Sequence, residues 1–293
     1  MEHCYRHPDV ETRVSCSSCG RPICPDCMTP TPVGMRCPEC SKERTKVTSG
    51  PAAVAGANNS PATFALIVIC VGVYLAEIFG GSGGLNTTTN TLISNFALQG
   101  AAVADGEWYR LVTAGFLHAG LFHLGFNMFA LYFLGRVLEP SIGTPRFLIV
   151  YFTSLLAGSF GATALTGNFV LTVGASGAVF GIFGATFMIA RGRGMTNIAR
   201  EIGVILGINL LLTFAIPGIS IGGHLGGLVG GVLCGMLVVA GERGKLGTAS
   251  AKAIEYGGFV AIAAVSVFAA IATAEPATTS QFIPLSVLLG PLL

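Results

Sequence analysis

The 293-residue sequence predicts an all-α polytopic membrane protein carrying a small zinc-stabilised head. The first observation is that only 10% of its residues are Asp, Glu, Lys or Arg, against about a quarter in an ordinary soluble chain. The second is a mean hydropathy of +0.72. The third is distribution: 13 of the 30 charged residues crowd into positions 1–46, leaving 17 for the other 247. A water-soluble globule is excluded on these grounds. A net charge of +2 gives no basis for a nucleic-acid partner, and 41 glycines without a G-X-Y period exclude collagen.

The head comes first. Seven of the nine cysteines precede residue 41. With His7 they form four pairs, each separated by two residues: Cys4/His7, Cys16/Cys19, Cys24/Cys27 and Cys37/Cys40. That spacing lets one tight knuckle present two ligands to a single tetrahedral zinc, so eight ligands make two closed, structural sites. Free thiols and disulfides are the rival readings, and the regularity of the four knuckles favours metal. Cys70 and Cys234 lie in apolar runs and read as packing residues.

Four stretches without Asp, Glu, Lys or Arg, 111–135, 147–190, 202–241 and 256–274, set the number of spans. A helix rises about 1.5 Å per residue across a core about 30 Å thick, so a span takes roughly 20 residues. The second and third stretches must each fold back once, at Gly167-Asn168 and at Pro217-Gly218. A first span over 63–79, following a linker at 47–61, brings the total to seven. It is not a cleaved signal peptide, since a metal-ligand segment precedes it. Seven Lys and Arg residues lie before span 1, and Arg136, Arg146, Arg191, Arg193, Arg200, Arg243, Lys245 and Lys252 fall on the same side, against Arg110 on the other. The positive-inside rule then puts the amino terminus and head in the cytosol and the carboxyl terminus outside, most naturally in a cell membrane. Reduced, metal-bound thiols suit the cytosol as well.

The membrane body has three histidines, His118, His123 and His224. Polar side chains in lipid are costly enough to be functional candidates by default. Spans 2, 4 and 6 all begin at the outer face, with His123 and Asn127 opening span 2, Ser176 opening span 4 within Gly174-Ala-Ser-Gly177, and His224 opening span 6. Counting back 15 residues from Arg191 puts Ser176 about 8 Å below the outer surface. A hydroxyl that attacks an amide needs a base and donors for the oxyanion. His224 can be the base, while His123, Asn127 and the Ser176 N–H can be the donors. The acids of the body lie in loops or near helix ends, so a Ser/His dyad without a carboxylate is expected.

This set resembles the rhomboid family of intramembrane serine proteases. Gly174-Ala-Ser-Gly177, His224 with Gly227 and Gly231 behind it, and His118, His123 and Asn127 carry the resemblance, together with Trp108-Tyr-Arg110 and Gly135-Arg-Val-Leu-Glu139. It implies a six-span core over 62–241 with one added helix and an outer tail over 242–293. It further implies Ser176 as nucleophile, His224 as base, and an oxyanion hole that includes His123 and Asn127. Phe180 stands where many family members have a tyrosine stacked on the histidine. Gly227 and Gly231 let span 6 press on span 4, and His118 reads as a structural residue of the outer loop. Residues 1–46 resemble B-box zinc fingers, whose cross-brace would pair Cys4, His7, Cys24 and Cys27 at one zinc and Cys16, Cys19, Cys37 and Cys40 at the other.

The expected function is a serine endopeptidase that cleaves transmembrane protein substrates near the outer face of the lipid bilayer, with no cofactor for catalysis. The resemblance further implies that substrate enters past span 5, at about 198–216, and the head is free to take a cytosolic protein partner. Two rivals remain. One is a catalytically inactive rhomboid-like protein that binds transmembrane clients. The other is a transporter or channel, which would show polar positions near the bilayer midplane rather than near one face.

Overall fold

A computed structural model describes residues 2–31, 34–42, 60–79, 91–243 and 248–276. It divides into two compact units, Met1–Gly56 and Ala57–Leu293. Most of the expected linker, 47–59, and the outer tail from 277 lie outside the described residues.

The first unit has two small antiparallel hairpins, β1 (Glu2–His3) with β2 (Glu11–Thr12) and β3 (Thr29–Thr31) with β4 (Gly34–Arg36), followed by α1 (Pro38–Lys42). Its buried cluster consists of Cys4, Cys16, Ile23, Cys24, Cys27 and Cys37. One isoleucine among five cysteines is too little apolar surface to fold so short a segment by burial alone. Around that cluster, the Tyr5 hydroxyl donates to the Glu39 carboxylate, and Arg6 forms an ion pair with the same group at 2.9 Å.

The second unit is helical. Its long helices are α2 (Pro61–Phe79), α6 (Leu121–Ile142), α7 (Thr144–Leu165), α9 (Thr196–Ala215), α10 (Ile221–Arg243) and α11 (Thr248–Thr273), each apolar and long enough to cross a membrane. A shorter apolar helix, α8 (Ser176–Gly192), has only 17 residues. The folds at 167–168 and 217–218 fall between helices as the sequence predicts. Between α2 and α6 lie three short helices, α3 (Thr91–Phe96), α4 (Gly100–Ala104) and α5 (Arg110–Thr113), and a 3-10 turn at Ala114–Phe116. The charge-free stretch that begins at 111 is therefore part loop, and span 2 starts ten residues later.

Two buried polar ties fix this arrangement. Arg110 donates to the carbonyls of Ser94 and Ala97 at 2.9 and 2.8 Å and pairs with Glu107 at 2.5 Å, which pins the loop. The Tyr109 hydroxyl and the Arg110 guanidinium together hold the Glu107 carboxyl below its usual range. At the other end, Glu139 of α6 accepts from the N–H groups of Ala62 and Thr63 at 3.0 and 2.8 Å and from the Thr63 and Thr144 hydroxyls. The first N–H groups of a helix have no partner within it, so a buried carboxylate there caps α2 and fixes it against α6. α2 opens on Pro61, whose ring suits a first helical turn.

α8 is the central helix. It touches α6, α7, α9 and α10, and α7 also packs closely on α10 and α11. Glycines permit this. A Cβ on Gly227 or Gly231 would run into the backbone of Gly177 or Gly181, and one on Gly235 would lie 2.9 Å from the Ala185 Cα. α10 thus presses directly on α8 through small residues, as expected for helices packed in lipid. α9 is different: its buried residues are Ala199 and Thr213, whereas much of α7 is buried.

Candidate active site

Ser176 is the first residue of α8, so its backbone N–H is one of the open donors at a helix start. Gly174 precedes it with φ +121°, a conformation that favours glycine. A Cβ on Gly174 would lie 2.6 Å from His123 Nε2 and 3.8 Å from Ser176 Oγ. The missing side chain is what lets the imidazole of α6 and the hydroxyl of α8 share one small space. The Ala119 N–H points at His123 Nδ1 at 3.4 Å. With Nδ1 accepting, a neutral His123 carries its proton on Nε2, directed at that space.

Asn127, one turn further along α6, is buried and donates through Nδ2 to the His123 carbonyl at 2.9 Å. Its amide has a second N–H. His224 lies near the start of α10, buried, with its ring stacked on Phe180 at 4.1 Å between centroids and 21° between planes. Phe180 is one turn below Ser176, so the imidazole lies along the face of α8 that bears the hydroxyl. Close backbone contact at the same level, where a Cβ on Gly177 would lie 3.2 Å from the Gly223 carbonyl oxygen, holds the two helix starts together. His118 is fully buried in the loop, its N–H directed at Glu77 Oε1 at 3.3 Å and its ring edge-on to His123. A cavity of about 30 Å³, lined in part by Ser159, Gly174, Ser176, Ser220 and Gly223, adjoins the hydroxyl. That is room for a water or two among polar groups.

In the other unit, the ligand atoms of Cys4, His7, Cys24 and Cys27, and those of Cys16, Cys19, Cys37 and Cys40, each lie within 4.8 Å of one another. These are the two sets the cross-brace implies. The edges are suited to a metal: His7 Nδ1 lies 3.2 Å from Cys24 Sγ and 3.5 Å from Cys27 Sγ, and Cys19 and Cys37 Sγ are 3.8 Å apart. A tetrahedral zinc with bonds of about 2.0–2.3 Å would set its ligands roughly 3.3–3.8 Å apart. Both clusters can hold a metal ion.

One neighbour of His224 was not foreseen from the sequence. Thr213 of α9 places its Oγ1 2.7 Å from His224 Nδ1. A threonine in an apolar helix gives no signal, and its direction depends on how α9 leans on α10.

Residues 105–241 match the Rhomboid domain family. The chain is 37% identical over 141 residues to "Putative rhomboid protease YdcA" of Bacillus subtilis (strain 168), covering 47% of this chain and 70% of that protein. The chain belongs to the rhomboid family. This rhomboid is also 36% identical over 173 residues to "Rhomboid protease GluP" of the same organism, across 57% of its own length and 33% of that of GluP. It thus spans one third of GluP. It is likewise 33% identical over 102 residues to "Inactive RHOMBOID-like protein 8" of Arabidopsis thaliana, across 34% of this chain and 29% of that one. The family therefore holds named proteases and an inactive member.

Proposed function

We propose that this rhomboid is an intramembrane serine endopeptidase that cleaves transmembrane segments of other membrane proteins near the outer face by a Ser176/His224 dyad. The supporting observation is the convergence at the starts of α6, α8 and α10 of a hydroxyl, a stacked imidazole and a second imidazole with Nε2 beside Gly174. In the reaction Ser176 Oγ attacks the scissile carbonyl while its proton passes to His224 Nε2. The oxyanion forms beside the Ser176 N–H, His123 Nε2–H and Asn127 Nδ2–H, donors already fixed in place and therefore effective where charge develops. His224 then gives its proton to the leaving amine, and water hydrolyses the acyl-enzyme by the same route in reverse. The cavity next to Ser176 can store that water. Helical substrate hides its carbonyls, so cleavage favours segments that unwind locally.

The inactive, client-binding reading would leave nucleophile or base missing, and both are present here. The two metal sites of the head take zinc in a structural role, with the head cytosolic by the positive-inside bias and available to a protein partner. Incubating purified protein with single-span substrates beside a Ser176→Ala variant tests the proposal. Cleavage lost in the variant supports it; cleavage by the variant, or none by the parent protein over a broad panel, refutes it.

A further inference from the structure

Among the twenty residues of α9, the buried ones are Ala199 and Thr213. Burying a hydroxyl on a helix otherwise turned to lipid calls for a partner. Thr213 Oγ1 lies 2.8 Å from the Asn209 carbonyl oxygen, one turn back, and 2.7 Å from His224 Nδ1 on α10. A hydroxyl has one proton to give and lone pairs to accept with. With its proton on the Asn209 carbonyl, Thr213 can only accept from His224. The chain of donors then runs His224 Nδ1–H to Thr213 Oγ1–H to Asn209 C=O, and the neutral imidazole is left with its lone pair on Nε2.

We propose that Thr213 is a positioning residue for the dyad, a neutral third member supplied by α9, which holds His224 in the tautomer whose Nε2 can take the Ser176 proton. The inference rests on the proteolytic reading above. The reaction needs that tautomer, because a ring protonated on Nε2 cannot accept there. Phe180 fixes the plane of the ring by stacking, and Thr213 fixes its rotation within that plane and the site of its proton. After Ser176 attacks, the imidazolium has two N–H groups: Nε2–H faces the leaving amine, and Nδ1–H stays on Thr213 Oγ1. Thr213 neither gains nor loses a proton in the cycle. Because α9 packs chiefly on α8 and only lightly on α10, this hydrogen bond also makes the base depend on α9 being seated.

The test uses the full chain in detergent with a single-span substrate, comparing wild type, Thr213→Val and Thr213→Ser, with Ser176→Ala as the blank. Valine keeps the shape and removes the acceptor; serine keeps the acceptor and removes a methyl. The expected result is a kcat lower by about tenfold in Thr213→Val with KM unchanged within about twofold, and a Thr213→Ser enzyme within about threefold of wild type. Equal kcat in Thr213→Val and wild type overturns the proposal, as does equal loss in both variants, which would mean packing rather than hydrogen bonding. Nitrogen-15 NMR of histidine-labelled wild-type protein checks the same point without a variant, with neutral His224 expected to carry its proton on Nδ1. A proton on Nε2 overturns the proposal. A wild type that neither cleaves nor reacts at Ser176 with a fluorophosphonate would refute the protease reading itself, whereas an active wild type matched by Thr213→Val refutes the role of Thr213 alone.

Discussion

At the scale of single residues, the site depends on what is absent as much as on what is present. Gly174 has a positive φ and its missing Cβ is the space between His123 Nε2 and Ser176 Oγ. Gly174→Ala is therefore expected to cut turnover by about 10², since a small misplacement of reacting groups is costly, while the protein stays in the membrane. Loss of one oxyanion donor in Asn127→Ala is expected to lower kcat by about 10² to 10³, less than loss of Ser176 or His224. Steady-state kinetics on one substrate checks both, and unchanged rates in Asn127→Ala would move the oxyanion elsewhere. Ser176, His123, Asn127 and His224 were legible in the sequence because polar groups are rare in an apolar body and each opens a span. Thr213 was not, because a threonine can satisfy its hydroxyl on its own helix, and only packing turns it toward His224. Glu77 was read as a residue near a helix end; it is one, yet it is 2% exposed and meets the His118 N–H, a burial that composition does not reveal.

At the scale of elements, helix contacts carry the stability. α10 meets α8 through glycines, so Gly231→Leu should push the two helices apart and weaken the fold, whereas Gly207→Ala on α9, where a Cβ meets nothing within 4 Å, should leave it unchanged. Overpacking of this kind typically costs about 1–3 kcal/mol. Glu139→Gln removes a charge that holds the start of α2 and is expected to destabilise by about 1–3 kcal/mol. Denaturation in mixed detergent measures all three, and an undisturbed Glu139→Gln protein would contradict the capping role. Charge-free stretches and their breaking dipeptides pointed to seven spans, and the described residues hold six long apolar helices and the 17-residue α8, because lipid disfavours charge and unpaired backbone alike. The charge-free stretch from 111 did not by itself mark where span 2 begins, since its first ten residues belong to the connection pinned by Arg110, whose buried guanidinium is satisfied by carbonyls from α3 and the segment after it.

At the scale of the whole molecule, two units with different sources of stability share one chain. The head has a core made mostly of cysteine, so the full-length protein is expected to contain two zinc ions per chain by elemental analysis, and Cys37→Ser should retain one. One metal or none in the parent protein would contradict the two-site reading. On the proteolytic reading the chemistry belongs to the body, and a chain starting at Ser60 is expected to keep cleaving a single-span substrate. The four two-residue knuckles were readable from local spacing, but the grouping of their eight ligands into two sets came from the resemblance to B-box fingers, and the closeness of the site residues needed three distant helix starts to be brought together. The central claim is that Ser176 is a nucleophile activated by His224, and the most direct measurement is covalent labelling of the full-length protein with a fluorophosphonate, read by mass spectrometry. The account predicts a single adduct on Ser176, absent in Ser176→Ala and strongly reduced in His224→Ala although both remain folded. An unlabelled Ser176 in folded wild-type protein, or equal labelling in His224→Ala, would contradict it.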